Sequence, residues 1–414
     1  MRVVHKYGGT SVGSLERIQE TAKLVQADLQ CGNEVAVVVS AMSGETNRLI
    51  GLAQGISETP AVREMDVLVS TGEQVSAALL SIELNRLGIK AYSFNGAQAG
   101  FKTDSSHARA RIKGICCEHL VKHMQAGEVP VVTGFQGVDE AGHVTTLGRG
   151  GSDTSAVALA IAVKADVCDI YTDVDGIYTT DPRVVAKAAK LESISYEEML
   201  EFASLGAKVL QTRSVELAMR FNMPIHLRSS FKNVSGTMVS GEDSGMERAE
   251  ITGVAYNRDE AKVTIKGIPD QPGIAAHIFG PVAETGINVD VIVQNVSDQG
   301  FTDMTFTVPR NDYAATMDLL QSLCTELKAD SVIGDNTVAK VSIIGVGMRS
   351  HTGVAGKMFD VLAQENINIQ MITTSEIKVT VVLAEKYIEL AVRALHHAFD
   401  LDANDVSESE SEGC

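Results

Sequence analysis

The chain of 414 residues carries 35 Lys and Arg against 53 Asp and Glu, a formal net charge of -18 at pH 7, which excludes a general nucleic-acid binder because phosphate contacts need a basic face. Its 44% hydrophobic content excludes disorder throughout, and its length suits two to four domains that each bury a core. The longest wholly apolar run, Ala156 to Val163, falls far short of the roughly 20 residues that span a bilayer, and MRVVHKYGG has no signal-peptide core, so no membrane association and a cytoplasmic location are expected.

The first element of interest is KYGGTS (Lys6 to Ser11), a glycine turn between a strand and a helix. Glycines there let the backbone approach an anion, the helix N-terminus adds free N–H groups, and Lys6 adds a full charge. It is not a Walker loop, and a plain strand-to-helix turn is the competing reading. From Ser14 as N-cap, Ile18, Ala22, Val25 and Leu29 fall at helical spacing until Gly32 stops the segment. Val35 to Val39, Val129 to Thr133 and Val167 to Thr172 are apolar throughout and read as buried strands. In STGEQVSAALL, Glu73 opens a helix, as a dipole-favoured acid or as an acceptor for an ammonium group.

GRGGSDTSA (Gly148 to Ala156) repeats the glycine-loop-then-helix pattern, with Arg149 suited to a carboxylate and Asp153 either functional or a plain N-cap. Two such loops at the C-terminal ends of strands in one α/β sheet favour a ligand site. YTDVDGIYTTDPR (Tyr171 to Arg183) has the acid spacing of a calcium loop without its twelfth-position Glu, so calcium is rejected in favour of a nucleotide's sugar, base and Mg²⁺. Lys208, in GAKVLQTRS, is a second candidate phosphate cation or a solvated helix lysine. The six scattered cysteines form no C-x-x-C pair and read as reduced thiols.

Residues 1–233 thus read as an αβα sandwich around an open, mostly parallel sheet, with 234–249 a Gly/Ser-rich linker. Beyond it lies an internal repeat: Gly273, Ala275, Phe279, Ala283, Ile287 and Asn288 recur as Gly353, Ala355, Phe359, Ala363, Ile367 and Asn368. The helical faces read Ala275, Ile278, Phe279, Val282, Ala283 and Ala355, Met358, Phe359, Leu362, Ala363. Two ferredoxin-like βαββαβ units follow, 250–335 and 336–402. Residues 403–414 read as a disordered, solubilising acidic tail.

Taken together, KYGGTS, VVVSAMSG, STGEQVS, the GFQG to GRGGSD stretch, YTDVDGIYTTDPR and the C-terminal repeats resemble the aspartokinases, members of the amino acid kinase family with two ACT domains. The resemblance implies MgATP-dependent phosphorylation of the L-aspartate β-carboxylate, opening the route to lysine, threonine and methionine. It implies that Lys6, Asp153 and Lys208 are catalytic, that Ser40, Thr46, Glu73, Arg149 and Ser152 hold aspartate, and that Lys6, Tyr7, Gly8, Gly9, Thr172, Asp173, Tyr178, Asp181, Arg183 and Lys208 hold the nucleotide. Mg²⁺ would be held by the ATP phosphates and not by protein side chains alone. Feedback by lysine, threonine or both is implied through Asp270, Gln271, Pro272, Gly273, Ile274, Ala275, Asn288, Val289, Asp290 and Gln294 of the first unit and Val354, Ala355, Asn368, Ile369 and Thr374 of the second. In that second unit SHTGVA lacks the acid and proline of DQPGIA, leaving pairing of sheets as the alternative role. The family further implies a homo-oligomer built through the ACT units and permits the strand at 250–256 to join the second unit, and some relatives have a regulatory subunit from an internal start, for which Met246 is suitably placed. The competing functions are a kinase for another carboxylate or carbamate, such as glutamate, and a catalytically dead amino-acid sensor. The sensor predicts loss of a lysine or of Asp153, and all three are present.

Overall fold

A computed structural model of the chain describes residues 1–205, 209–241, 251–296, 300–350 and 353–403. Lys208, Met246 and nearly all of the acidic tail lie outside the described residues. The N-terminal half is built on an eight-stranded sheet in the order Ser193–Ser195, Thr237–Ser240, Ile225–Ser229, Val167–Thr172, Arg2–Tyr7, Glu34–Val39, Val129–Thr133, Ala91–Phe94. Every neighbouring pair is parallel except Ile225–Ser229 with Thr237–Ser240. Both faces are covered, which is why the central strands are apolar without alternation. On one face Val4, Ala36, Val38 and Val132 pack with the helix Gly151–Val163, and on the other Val3, Tyr7, Val35 and Val37 pack with the helices Leu15–Gln30 and Thr71–Arg86.

Local chemistry explains the helix ends nearest the site. Ser14 caps Leu15–Gln30 by accepting the Arg17 N–H. Gly151–Val163 is apolar on all sides because it lies between the sheet and an outer layer. By length and composition Val62–Arg86 would pass for a membrane span, but Ala77, Leu80 and Leu84 are buried against the sheet, making it a core helix. A second, four-stranded sheet (Ile112–Ile115, Phe101–Thr103, Gln136–Val138, Val144–Thr146) lies beside the first. Its strands are too short to leave a periodic signal in the sequence.

The linker expected at 234–249 needs correction. Thr237–Ser240 is a strand of the eight-stranded sheet, with Thr237 and Val239 fully buried, so the catalytic unit extends at least to Ser240.

The C-terminal half is one six-stranded antiparallel sheet in the order Ile292–Val296, Phe301–Val308, Gly253–Pro269, Ser331–Ile344, Lys378–Ala384, Ile369–Thr374. Its two central strands are long enough to serve both ferredoxin-like units. Gly253 to Asn257 pair with Lys340 to Ile344 around one core, while Lys262 to Lys266 pair with Ser331 to Asp335 around another, with irregularities at Glu260 marking the change. The helices Ile274–Glu284 and Val354–Gln364 cover these cores through Ile274, Ile278, Val282 and Val354, Met358, Leu362. The repeat is therefore real, but its apolar stripe sits one residue earlier than the sequence reading places it, because Ala275, Ala283 and Ala363 are exposed.

Candidate active site

At the C-terminal edge of the parallel strands lies a cleft of about 250 Å³ lined by Lys6, Ser40, Ala41, Thr46, Glu73, Phe135, the loop Gly148–Asp153 and Gln211. It gathers all five residues expected to hold the substrate together with Lys6 and Asp153. Lys6 is the penultimate residue of the first strand, on the face covered by Gly151–Val163, and its Nζ meets Asp153 Oδ1 at 2.6 Å. Asp153 is not an N-cap. Gly150 holds that position, and Asp153 is the third helical residue, turned toward Lys6.

Glu73 lies in the first turn of Thr71–Arg86 and is only 3% exposed. Its Oε1 accepts the Ala41 N–H at 3.1 Å, while Oε2 is buried without a partner. Burial, against two weaker backbone hydrogen bonds, pushes its pKa up to about 7. Arg149 is exposed on the opposing loop, between Gly148 and Gly150. Gly150 must be glycine, since φ is +68° and a Cβ would stand 1.8 Å from Gln211 Cγ.

The expected nucleotide residues divide into groups. Gly8 donates its N–H to Tyr171 O at 3.1 Å, which joins the first glycine loop to the strand ending at Thr172. Past that end Thr172 Oγ1 donates to Asp173 at 3.0 Å, and Asp175 accepts from Tyr178 Oη and Lys232 Nζ, each at 2.9 Å. None of Thr172, Asp173, Tyr178, Asp181 and Arg183 lines the cleft; they form a ledge beside it. Asp181 is turned to Arg183 at 2.8 Å and to Tyr256 Oη at 3.1 Å, so it also ties the ledge to the C-terminal sheet. Tyr7 needs correction: its ring is wholly buried on the opposite sheet face, stacked on Tyr171 at 4.7 Å, and cannot reach a nucleotide. Strand alternation puts neighbouring Lys6 and Tyr7 on opposite faces.

On that opposite face His5 Nε2 lies 3.1 Å from Asp28 and 3.4 Å from Asp169, and Asp169 also meets His226 Nδ1 at 3.3 Å. The two carboxylates outweigh full burial and raise the His5 pKa to about 9. No sequence motif announced this cluster. Gln211, Phe135 and Ala41 were likewise missed in the cleft, Gln211 although it stands three residues past Lys208.

In the C-terminal half the expected effector residues occupy helix starts, edge strands and the loops that lead into those strands, Asn288 to Asp290 and Asn368 among the last. Gly273 and Gly353, with φ +93° and +102°, open their helices; Gln294 lies exposed on one edge strand, and Ile369 and Thr374 on the other. Val291 and Val293, near the first edge, pack on Met371, Val338 and Val382, bringing the two units face to face. Asp290 is held by buried Lys340, whose Nζ also meets Glu260 at 2.8 Å.

A mostly parallel α/β sheet with glycine loops and a lysine–aspartate pair at one edge, followed by paired ferredoxin-like units, is the arrangement of a small-molecule kinase. Comparison with known proteins agrees. Residues 1–229 match the amino acid kinase family, and 263–325 and 341–399 each match an ACT domain. An aspartate kinase of Stutzerimonas stutzeri is 58% identical over 402 residues, covering 97% of this chain and 98% of the relative. Aspartokinase III of E. coli in complex with aspartate and ADP (R-state) superposes with TM-score 0.80 at 29% identity, covering 96% of this chain and 99% of that one. The same enzyme with lysine and aspartate (T-state) gives TM-score 0.74 over the same coverage and identity. The chain belongs to the amino acid kinase family and, within it, to the aspartokinases, and it is a nucleotide-dependent phosphotransferase.

Proposed function

We propose that the chain transfers the γ-phosphoryl group of MgATP to the β-carboxylate of L-aspartate, forming 4-phospho-L-aspartate, the first step of lysine, threonine and methionine biosynthesis. The observation that carries this reading is one cleft holding an exposed arginine, a buried acid with an open oxygen and a lysine–aspartate pair. An α-amino acid presents a carboxylate for Arg149 and an ammonium group for Glu73, and the hydroxyls of Ser40, Thr46 and Ser152 suit the remaining carboxylate oxygens. The reacting carboxylate is already ionised at neutral pH, so the site needs no general base. What it must supply is in-line positioning and cationic charge on the phosphoryl oxygens. Lys6 fills that role with Asp153 fixing its ammonium group, and Lys208 is the second cation. Gly8, Gly9 and the ledge of Thr172, Asp173, Tyr178, Asp181 and Arg183 hold the nucleotide. Mg²⁺ arrives on its phosphates and offsets their charge.

The aspartate and ADP of the E. coli complex support the substrate pair, and its lysine-bound form supports end-product control. Lysine, threonine or both act at the starts of Ile274–Glu284 and Val354–Gln364 and the adjoining edge strands, in a cytoplasmic homo-oligomer joined through the C-terminal sheets. The test is MgATP-dependent acyl-phosphate formation, trapped as hydroxamate, with L-aspartate against L-glutamate and with or without lysine plus threonine. Aspartate-specific turnover suppressed by the amino acids is expected. Turnover only with glutamate overturns the substrate, and turnover with neither returns the chain to the sensor reading.

A further inference from the structure

Asp66, on the helix Val62–Val69, lines no part of the cleft, yet it is a buried acid with 1% of its surface exposed. Its carboxylate reaches two segments far away in sequence. Oδ1 accepts the Thr146 hydroxyl at 2.6 Å, Oδ2 meets His107 Nδ1 at 2.8 Å, and the Ala108 N–H lies 3.1 Å from both oxygens. Ala108 has φ +63°, a left-handed conformation unfavourable for an alanine, and these hydrogen bonds offset it. The Ala110 N–H then donates to Thr146 O at 2.9 Å. From the other side Arg213 donates to Leu147 O at 2.9 Å and to Ala110 O at 2.8 Å.

Segments 107–110 and 146–147 are therefore clamped together between an aspartate and an arginine, and the next residues are Gly148 and Arg149. Gly148 has φ +79°, and a Cβ on it would come 2.8 Å from Ala108 O, so the Ala108 carbonyl is seated directly against the glycine. The chain of contact runs from Asp66 through Ala108 and Thr146 to the backbone that carries Arg149.

We infer that Asp66 is a positioning residue for the substrate carboxylate: it fixes the backbone from which Arg149 enters the cleft. The inference rests on the reading above in which Arg149 binds the aspartate α-carboxylate. A guanidinium–carboxylate pair is bidentate and directional, so a small displacement of the loop weakens it while leaving the Lys6–Asp153 pair in place. Neither Asp66 nor Arg213 lines the cleft.

The test is steady-state kinetics on Asp66→Ala, Asp66→Asn, Gly148→Ala and the double variant Asp66→Ala/Gly148→Ala. Asp66→Ala is expected to raise the aspartate KM about tenfold, with kcat and the ATP KM within about twofold, because a displaced binding group weakens ground-state and transition-state binding alike. Gly148→Ala is expected to do the same by displacing the Ala108 carbonyl, and the double variant to add little, since both act on one contact. Asp66→Asn keeps one acceptor oxygen and falls between wild type and Asp66→Ala. An unmoved aspartate KM accompanied only by a lower Tm or kcat, or full additivity in the double variant, overturns the inference. Should Asp66→Ala fail to fold, Asp66→Asn and Gly148→Ala decide it on the same criterion. Absence of aspartate turnover in the wild type would instead defeat the functional reading itself, so the two failures are distinguishable.

Discussion

His5 and Lys6 are neighbours on one strand and point to opposite faces of the same sheet, yet their charges are treated in opposite ways. His5 is enclosed: Asp28 and Asp169 flank it, and His226 meets Asp169 in turn, so each charge there has a counter-charge within the chain. The Lys6 side is left incomplete. Lys6 has Asp153, but Glu73 has a buried oxygen with no partner and Arg149 is exposed across the cleft. A charge set that closes on itself holds the fold; a set that stays open is completed by a ligand.

The largest effect that would break this contrast is on the open side. Lys6→Ala, or Asp153→Asn, is expected to lower kcat about 1,000-fold, as removal of a preorganised charge at the transferring group does. Circular dichroism should show the fold retained, and substantial turnover in a folded variant would contradict the assignment. On the closed side His5→Phe strands two carboxylates and is expected to destabilise by about 3 to 5 kcal/mol in chemical denaturation, with kcat of the folded fraction near wild type. The pH dependence has a definite sign. The His5 pKa rises from 6.5 to about 9 on folding, so its contribution is complete below about pH 6.5 and is lost as pH rises through about 9. Wild-type stability should decline across that window, and the His5→Phe variant should lose that decline.

Smaller effects sharpen the comparison. On the proposed reading Glu73 receives the substrate's ammonium group when ionised, and with its pKa pushed up to about 7 the wild-type aspartate KM should fall about tenfold between pH 6 and pH 8. In Glu73→Gln the KM should be raised and this slope absent. An equal slope in both would place the titration elsewhere. The C-terminal sheet lies between the two extremes, because Asp290 already holds Lys340 while remaining exposed to solvent. Gln294→Ala or Gly273→Asp is expected to raise the half-inhibiting lysine or threonine concentration severalfold and leave uninhibited turnover within about twofold, since an effector acts only through its differential affinity for two states. Retained inhibition in both would move the effector site.

The open side was legible in the sequence because each part is a local signature: KYGGTS, STGE and GRGGSD are turns and helix starts. KYGGTS closes a strand of the parallel sheet, whereas STGE follows the helix Val62–Val69 and GRGGSD follows the strand Val144–Thr146 of the second sheet, so their convergence is a tertiary fact that the motifs did not carry. Tyr7 shows what was overlooked, since strand alternation turns its ring away from the face that Lys6 presents. Gln211 and Asp66 were illegible for another reason. Gln211 stands against Gly150 and Asp66 reaches the same loop only through Ala108 and Thr146, and neither lies in a turn or a glycine motif. The closed cluster is equally silent, drawing His5, Asp28, Asp169 and His226 from three strands and a helix. The Thr237–Ser240 strand was read as linker because four residues among Gly and Ser carry too little periodicity. The long shared strand Gly253–Pro269 was seen as two possibilities, because sequence alone does not show which half pairs with which unit.

The most direct measurement of the central claim, that Glu73 is a charge awaiting the substrate's ammonium group, is proton release on L-aspartate binding. It is read by calorimetry at pH 7 in buffers of differing ionisation enthalpy. With a free-state pKa near 7 that falls when the ammonium group arrives, wild type should release about half a proton per aspartate, and Glu73→Gln none. Aspartate binding with no proton release in the wild type, or the same release in the variant, would contradict the account.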